Sequence, residues 1–174
     1  MLSKEDREYL LQLARKSIRD YFEGKETTSD RKFGKKGVFV TLNEDGRLRG
    51  CIGFVSPIYD LSEGVIKAAR AAAFGDPRFP PLSKEELDKI KIEISVLSEP
   101  RPIEPEDVII SKHGLIIEYN GYSGLLLPQV AVEWNMNREE FLDAVCEKAG
   151  LPPGFWKSKG VKLYAFEAEV FGEG

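Results

Sequence analysis

The residue types best suited to chemistry lie in the segment Leu48-Arg49-Gly50-Cys51-Ile52-Gly53 (LRGCIG), called here the 48–53 segment. In an extended strand alternate side chains share a face, so Arg49 and Cys51 are predicted to be neighbours. A guanidinium beside a thiol stabilises the thiolate, which predicts a lowered pKa for Cys51 and makes it a candidate nucleophile. The other interpretation, which these residues alone favour, is that Cys51 is a small buried apolar residue of a strand.

The opposite face of this strand is predicted to be apolar and to face a core. Gly50 and Gly53 are expected to leave room for another backbone or for a ligand, although two glycines in a strand also fit a β-bulge. The residues assigned to the core-facing side are Leu48, Gly50, Ile52 and Phe54.

A second candidate is the proline-rich loop Asp76-Pro77-Arg78-Phe79-Pro80-Pro81, called here the 76–81 loop. It places a carboxylate, a guanidinium and an aromatic ring in a stretch that its prolines make stiff, as expected of a binding loop. The alternative is a structural clasp, in which Asp76 accepts hydrogen bonds from backbone N–H groups and Arg78 forms an ion pair with it. Residue chemistry alone slightly favours the clasp.

Two further places carry polar or aromatic side chains that could act on a ligand. His113 is the single histidine and precedes a predicted strand, where a structural, hydrogen-bonded role is more common than that of a base. Gln129, Glu133 and Trp134 follow Pro128 closely, and a general-acid role for Glu133 is conceivable. We expect the 129–134 segment to converge with the 48–53 segment and the 76–81 loop on one cleft.

Composition excludes several classes of function. The formal net charge of −4 gives no global electrostatic footprint for nucleic acid. One histidine and two distant cysteines argue against a multi-histidine metal site and a disulfide framework, so no metal is predicted and the cofactor is unknown. The common nucleotide-binding motifs are absent. No signal peptide or bilayer-spanning apolar run is recognisable, which predicts a cytoplasmic protein.

Hydrophobic periodicity predicts an α+β class with largely antiparallel sheet rather than a doubly wound parallel one. We expect one compact unit in which helices 4–22, 60–74 and 138–149 pack on the sheet. Ile90, Ile92, Ile94 and Val96 alternate with polar residues and should all be buried. A hairpin is predicted over 115–127 around a turn at 121–124, a last strand over 163–171, and a basic, solvated loop over 25–36.

Together these segments resemble the AMMECR1 family over most of the chain and in the family's order. The resemblance implies a single AMMECR1-type domain over 1–174, an α+β fold of two closely packed lobes, and a position for the 48–53 segment near the cleft between them. The pieces that carry it are LRGCIG at 48–53, DPRFPPL at 76–82, HGL at 113–115, LLPQVAVEW at 126–134 and CEKAGLP at 146–152.

The same resemblance implies possible ligands and partners without naming a reaction. Folds likened to it bind nucleotides, nucleic acids or peptides, and similar bacterial domains are encoded with or fused to Memo-like and radical-SAM proteins. It also makes the 48–53 segment and the 76–81 loop functional candidates rather than packing elements.

Two hypotheses of different classes therefore remain open. The favoured one is a binding module with a ligand cleft, in which Arg49 and Arg78 bind anions. The other is an enzyme that uses Cys51 as its nucleophile, assisted by Arg49 and by His113 or Glu133, on a small or peptide-like substrate. The binding residues expected are Arg49, Gly50, Ile52, Gly53, Asp76, Arg78, Phe79, Gln129 and Trp134.

Overall fold

The computed structural model describes residues 1–174 and divides them into two compact units. The first unit comprises residues 1–97 and 169–174, and the second comprises 98–168. Each unit has its own four-stranded sheet and its own apolar core. The α+β class is therefore confirmed, but the expectation of one sheet that carries all three predicted helices is wrong.

The regular elements are four α-helices and eight β-strands. No helix combines the length and the apolar character that crossing a bilayer would require. In chain order they are α1 (Lys4–Phe22), β1 (Gly37–Glu44), β2 (Arg47–Phe54), α2 (Leu61–Phe74), β3 (Ile90–Leu97), β4 (Arg101–Pro102), β5 (Gly114–Tyr119), β6 (Tyr122–Leu126), α3 (Pro128–Glu133), α4 (Arg138–Lys148), β7 (Lys162–Phe166) and β8 (Ala168–Gly172).

The first unit is built on the sheet β2-β1-β3-β8, with β1 antiparallel to both β2 and β3. Its core contains apolar side chains of α1, α2, β1 and β3. The four alternating residues of β3, Ile90, Ile92, Ile94 and Val96, are all buried, as predicted. Their burial follows from the period of two, which puts every second side chain of a strand on the same face.

The second unit is built on the sheet β4-β7-β5-β6, whose neighbouring pairs are all antiparallel. Helix α4 supplies Phe141, Leu142 and Val145 to its core. The helix begins in a reciprocal capping box, because Asn137 Oδ1 accepts from the Glu140 N–H while Glu140 Oε1 accepts from the Asn137 N–H. The left-handed Gly150 ends the turn that follows the helix.

The structure corrects two sequence predictions that bear on the second unit and adds a helix there. The β5–β6 hairpin turns at Asn120-Gly121, both with positive φ, rather than over 121–124. Pro128 begins a short helix, α3, because proline fits the first helical position, where no N–H is needed. The predicted strand 163–171 divides at Glu167 into β7 and β8, which belong to different sheets.

Candidate functional site

The outer edge of β2 is where the two main sequence candidates meet. Strand β2 is terminal in its sheet, so one edge of its backbone faces away from β1. The Cys51 N–H donates to Asp76 Oδ2 at 3.0 Å, and the Cys51 carbonyl accepts from Arg78 Nη2 at 3.3 Å. Asp76 and Arg78 thus satisfy both backbone groups of Cys51, much as a neighbouring strand would.

Asp76 and Arg78 form the clasp that the sequence allowed as the alternative for this loop. Arg78 Nε and Nη2 donate to the two carboxylate oxygens of Asp76 at 3.0 and 2.7 Å, and the Arg78 N–H donates to Oδ1 at 3.1 Å. The Asp76 side chain is 2% exposed and that of Arg78 is 56% exposed. The hydrogen bonds from Arg78 hold the pKa of the Asp76 carboxyl far below its ordinary value.

The Cys51 thiol has an environment different from the one predicted. Its Sγ lies 3.2 Å from Thr41 Oγ1, the hydroxyl directly opposite it on β1, and the residue is partly buried. Burial raises the pKa of the thiol, and the contact with Thr41 and the charge of Arg78 only partly offset this. The prediction that Arg49 would lower this pKa is wrong.

Arg49 does not lower the pKa of Cys51, because its guanidinium is paired with a carboxylate from another segment. A bulge in β2 interrupts the pairing, so that Leu42 faces Gly50 and Asn43 faces Leu48, with Arg49 as the extra residue. Arg49 Nε and Nη2 donate to the two carboxylate oxygens of Glu86 at 2.7 and 3.0 Å. The bulge also leaves Leu48 42% exposed, contrary to its predicted place on the core-facing side.

Glu86 joins this pair to a capping interaction with Ser83, three residues before it in the chain. Its carboxylate accepts from the Ser83 N–H, while the Ser83 hydroxyl accepts from the Glu86 N–H. The bond from Arg49 lowers the pKa of Glu86 to about 2. The interaction with the nearby carboxylate of Glu86 raises the pKa of Glu44.

Phe79 lies beside both guanidinium groups of the site. The Arg78 Cζ lies 5.4 Å from the centre of the Phe79 ring and the Arg49 Cζ lies 6.0 Å from it. Both separations fall within the range of cation–π contacts. The ring is partly buried, and it links the Asp76–Arg78 clasp to the Arg49–Glu86 pair.

The glycines of the 48–53 segment are required by packing within the chain. A Cβ on Gly50 would lie 2.1 Å from the Ala72 carbonyl oxygen of α2, and a Cβ on Gly53 would lie 2.5 Å from the Phe39 ring. Gly50 therefore admits another backbone, as predicted, and that backbone is α2. Ile52 packs against the first unit's core, and ligand contacts by these three residues stay a prediction.

The face of the first unit's sheet opposite the buried Ile92 and Ile94 holds residues that sequence reasoning missed. Thr41 stands opposite Cys51 on one side and opposite Glu93 on the other, which sets a thiol, a hydroxyl and a carboxylate in one row across β2, β1 and β3. Ser95 lies on the same face of β3, is 1% exposed, and its Oγ has no hydrogen-bond partner. Strand register could have revealed this row only if the pairing order had been known.

The remaining candidates lie in the second unit. His113 is buried and its Nδ1 accepts from the Ile109 N–H at 3.0 Å, which is the structural role the sequence favoured; burial lowers its pKa. Gln129 and Glu133 lie on α3, and Trp134, which ends that helix, is 72% exposed. Convergence of this segment with the 48–53 segment stays a prediction.

Comparisons with known proteins agree with the sequence resemblance. The AMMECR1 family model matches residues 11–171. A protein of Thermococcus gammatolerans is 50% identical over 95% of this chain and 89% of its own length, and MK0488 of Methanopyrus kandleri is 46% identical over 99% and 90%. The crystal structure of uncharacterized protein PH0010 from Pyrococcus horikoshii matches with a TM-score of 0.92 and 46% identity, covering 99% of this chain and 93% of that one.

Proposed function

Since the chain belongs to the AMMECR1 family, we propose that it is a binding module that recognises an acidic peptide segment of a protein partner at the 76–81 loop. The observation that carries the proposal is the Asp76–Arg78 clasp. It fixes a half-exposed guanidinium in place at the edge of β2. Memo-like and radical-SAM proteins, which the family resemblance implies as partners, are the first full-length proteins to test.

The clasp supports recognition because it orders the Arg78 side chain before a partner binds, which lowers the entropic cost of binding. A free arginine side chain loses rotamer freedom when it binds, whereas Arg78 is already held through Nε and Nη2. Its Nη1 makes no hydrogen bond within the chain and can donate to a carboxylate of a partner. The prolines of the loop restrict the backbone around it.

Charge supports a peptide rather than a nucleic acid at this place. Arg49 and Arg78 are each paired with a carboxylate, from Glu86 and Asp76, so the site offers Arg78 Nη1 to a single carboxylate of a peptide but has no cluster of unneutralised cations for a phosphate backbone. Arginine beside an aromatic ring, as Arg78 is beside Phe79, is the composition typical of residues that dominate protein–protein binding energy.

Peptide display followed by affinity measurement tests the proposal. Peptides selected on the wild-type protein should be enriched in Asp and Glu, and Arg78→Gln should weaken their binding at least about tenfold by fluorescence anisotropy. Arg47→Gln is the matched control, because Arg47 is an exposed arginine of β2 that makes no ion pair. Equal losses for the two variants would mean non-specific charge attraction and would refute the proposal.

The contact between Cys51 and Thr41 supports a second candidate function, an enzyme in which Cys51 is the nucleophile. The thiol is partly accessible and forms a hydrogen bond with the neighbouring Thr41 hydroxyl. Because burial raises its pKa, the thiol is protonated at neutral pH and needs a base before it can attack. If the wild-type protein forms no covalent adduct between Cys51 and a bound peptide by mass spectrometry, this candidate is contradicted.

A further inference from the structure

The first unit contains a cavity of about 590 Å³ that is separate from the 48–53 segment. It lies between the loop that follows α1 and one side of α2, and its volume is within the range of small-molecule sites. Its lining consists of Glu26, Thr27, Thr28, Ser29, Lys32, Ser62, Glu63, Ile66, Lys67 and Arg70.

The loop that forms one wall of this cavity is held in place by hydrogen bonds, while most of its residues over 25–36 are exposed, as the sequence predicted. The Thr27 hydroxyl donates to Asp20 and is itself buried, and the Ser62 hydroxyl of α2 donates to the Arg31 carbonyl at 2.9 Å. The N–H groups of Phe33 and Gly34 both donate to Asp60. The cavity is therefore preformed by side-chain contacts to both helices, which lowers the cost of ordering a ligand in it.

The cations of the lining have no carboxylate partners. Arg70 donates through Nε and Nη2 to the carbonyls of Ser17 and Lys25 and to the Thr27 hydroxyl, all of them uncharged. Lys32 and Lys67 form no ion pair, and the Lys67 ammonium lies 5.1 Å from the ring centre of Tyr59. A partly buried arginine is usually paired with an anion, and Arg70 has none within the chain. An anionic ligand could therefore pair with it.

The rest of the lining is suited to hydroxyl groups. Glu26 and Glu63 form no ion pair, and carboxylates are strong acceptors for the hydroxyls of a polyol. Thr28 has a hydroxyl without a partner, whereas Ile66 is the single large apolar side chain of the lining. No aromatic ring lines the cavity, which disfavours a stacked nucleobase.

We propose that this cavity binds a small phosphorylated polyol of the sugar-phosphate class. The phosphate lies against Lys32, Lys67 and Arg70, and the hydroxyls of the sugar donate to Glu26 and Glu63. Three cations against two carboxylates leave a local excess of one positive charge, which favours a phosphate monoester over an uncharged sugar.

Isothermal titration calorimetry with glucose 6-phosphate, glucose, inorganic phosphate and AMP tests this site. Glucose 6-phosphate should bind with a dissociation constant of about 1 mM or tighter, and glucose and AMP at least about tenfold more weakly. Lys67→Gln should weaken the binding of glucose 6-phosphate at least about tenfold. Glu63→Gln should weaken the binding of glucose 6-phosphate but not that of inorganic phosphate, because only the sugar hydroxyls donate to that carboxylate.

The matched control is Lys35→Gln, since Lys35 is an exposed lysine of the same loop outside the lining. If Lys35→Gln binds glucose 6-phosphate as tightly as the wild type, binding depends on the residues of the lining and not on charge in general. Three results would overturn the proposal: no heat from glucose 6-phosphate, equal losses for Lys67→Gln and Lys35→Gln, or AMP binding as tightly as glucose 6-phosphate. Both lysines are exposed, so circular dichroism should show an unchanged fold in each variant.

Discussion

The Asp76→Asn substitution gives the sharpest test of the clasp at the edge of β2. The carboxylate accepts four hydrogen bonds, two at each oxygen: Oδ1 from the Arg78 N–H and Nε, and Oδ2 from the Cys51 N–H and Arg78 Nη2. Asparagine has nearly the same shape but only one acceptor oxygen. In either orientation of the amide, its NH2 group therefore replaces one carboxylate oxygen and meets the two donors that had bonded to that oxygen.

The cost follows from burial and from the partners that lose their acceptor. A hydrogen bond to a charged group contributes about 1.5–3 kcal/mol, and a buried donor without an acceptor costs about 1–3 kcal/mol. Arg78 is 56% exposed and can turn toward water, which reduces its share of the loss. We therefore expect Asp76→Asn to lower the free energy of unfolding by about 2 kcal/mol at pH 7.

The loss should depend on pH with a defined sign. The pKa of Asp76 is depressed in the folded chain, so its charged form contributes stability that is complete well above the ordinary aspartate pKa of about 4. That stability is lost as the pH falls below about 4, toward the pKa of Asp76 in the folded chain. The difference between wild type and Asp76→Asn should therefore shrink by about 1 kcal/mol between pH 7 and pH 3.

Urea unfolding of both proteins at pH 7 and pH 3 measures these differences, and amide hydrogen exchange of Cys51 reports on the clasp itself. Asp30→Asn is the control, because Asp30 is exposed and makes no hydrogen bond or ion pair; its effect should stay within about 0.5 kcal/mol. A loss for Asp76→Asn no larger than that of the control, or one that does not change with pH, would refute this account of the clasp.

Three further outcomes are expected. Alkylation of Cys51 against pH, in a variant without the other cysteine, should show its inflection above that of a free thiol, and Arg49→Ala should not move it; an inflection below a free thiol would contradict the burial argument. Gly50→Ala should cost about 3 kcal/mol or prevent folding, because its Cβ would meet the Ala72 carbonyl; near-wild-type urea stability would contradict this. Glu86→Gln should cost about 2 kcal/mol at pH 7, and this difference should narrow as the pH falls through 4.5 toward 2; a constant difference would exclude the ion pair as its cause.

Much of the fold was predictable because it depends on near neighbours in the chain. The caps at Ser3 and Asn137 join residues three apart, and the alternation over Ile90–Val96 reports which face of a strand is buried. The division of strand 163–171 was not predictable. Its apolar alternation is continuous, and only the assembled sheets show that β7 and β8 pair with different neighbours.

The same distinction holds for the candidate site. The sequence by itself determined that a thiol, two guanidiniums and a carboxylate occur in two short segments, and that Asp76 and Arg78 could form an ion pair, since they are two residues apart. Tertiary structure decided which charges meet across the fold. Glu86 comes to Arg49 from 37 residues away, so Arg49 is neutralised there instead of acting on Cys51. The raised pKa of the thiol then follows from burial, a property of the folded chain that local sequence does not encode.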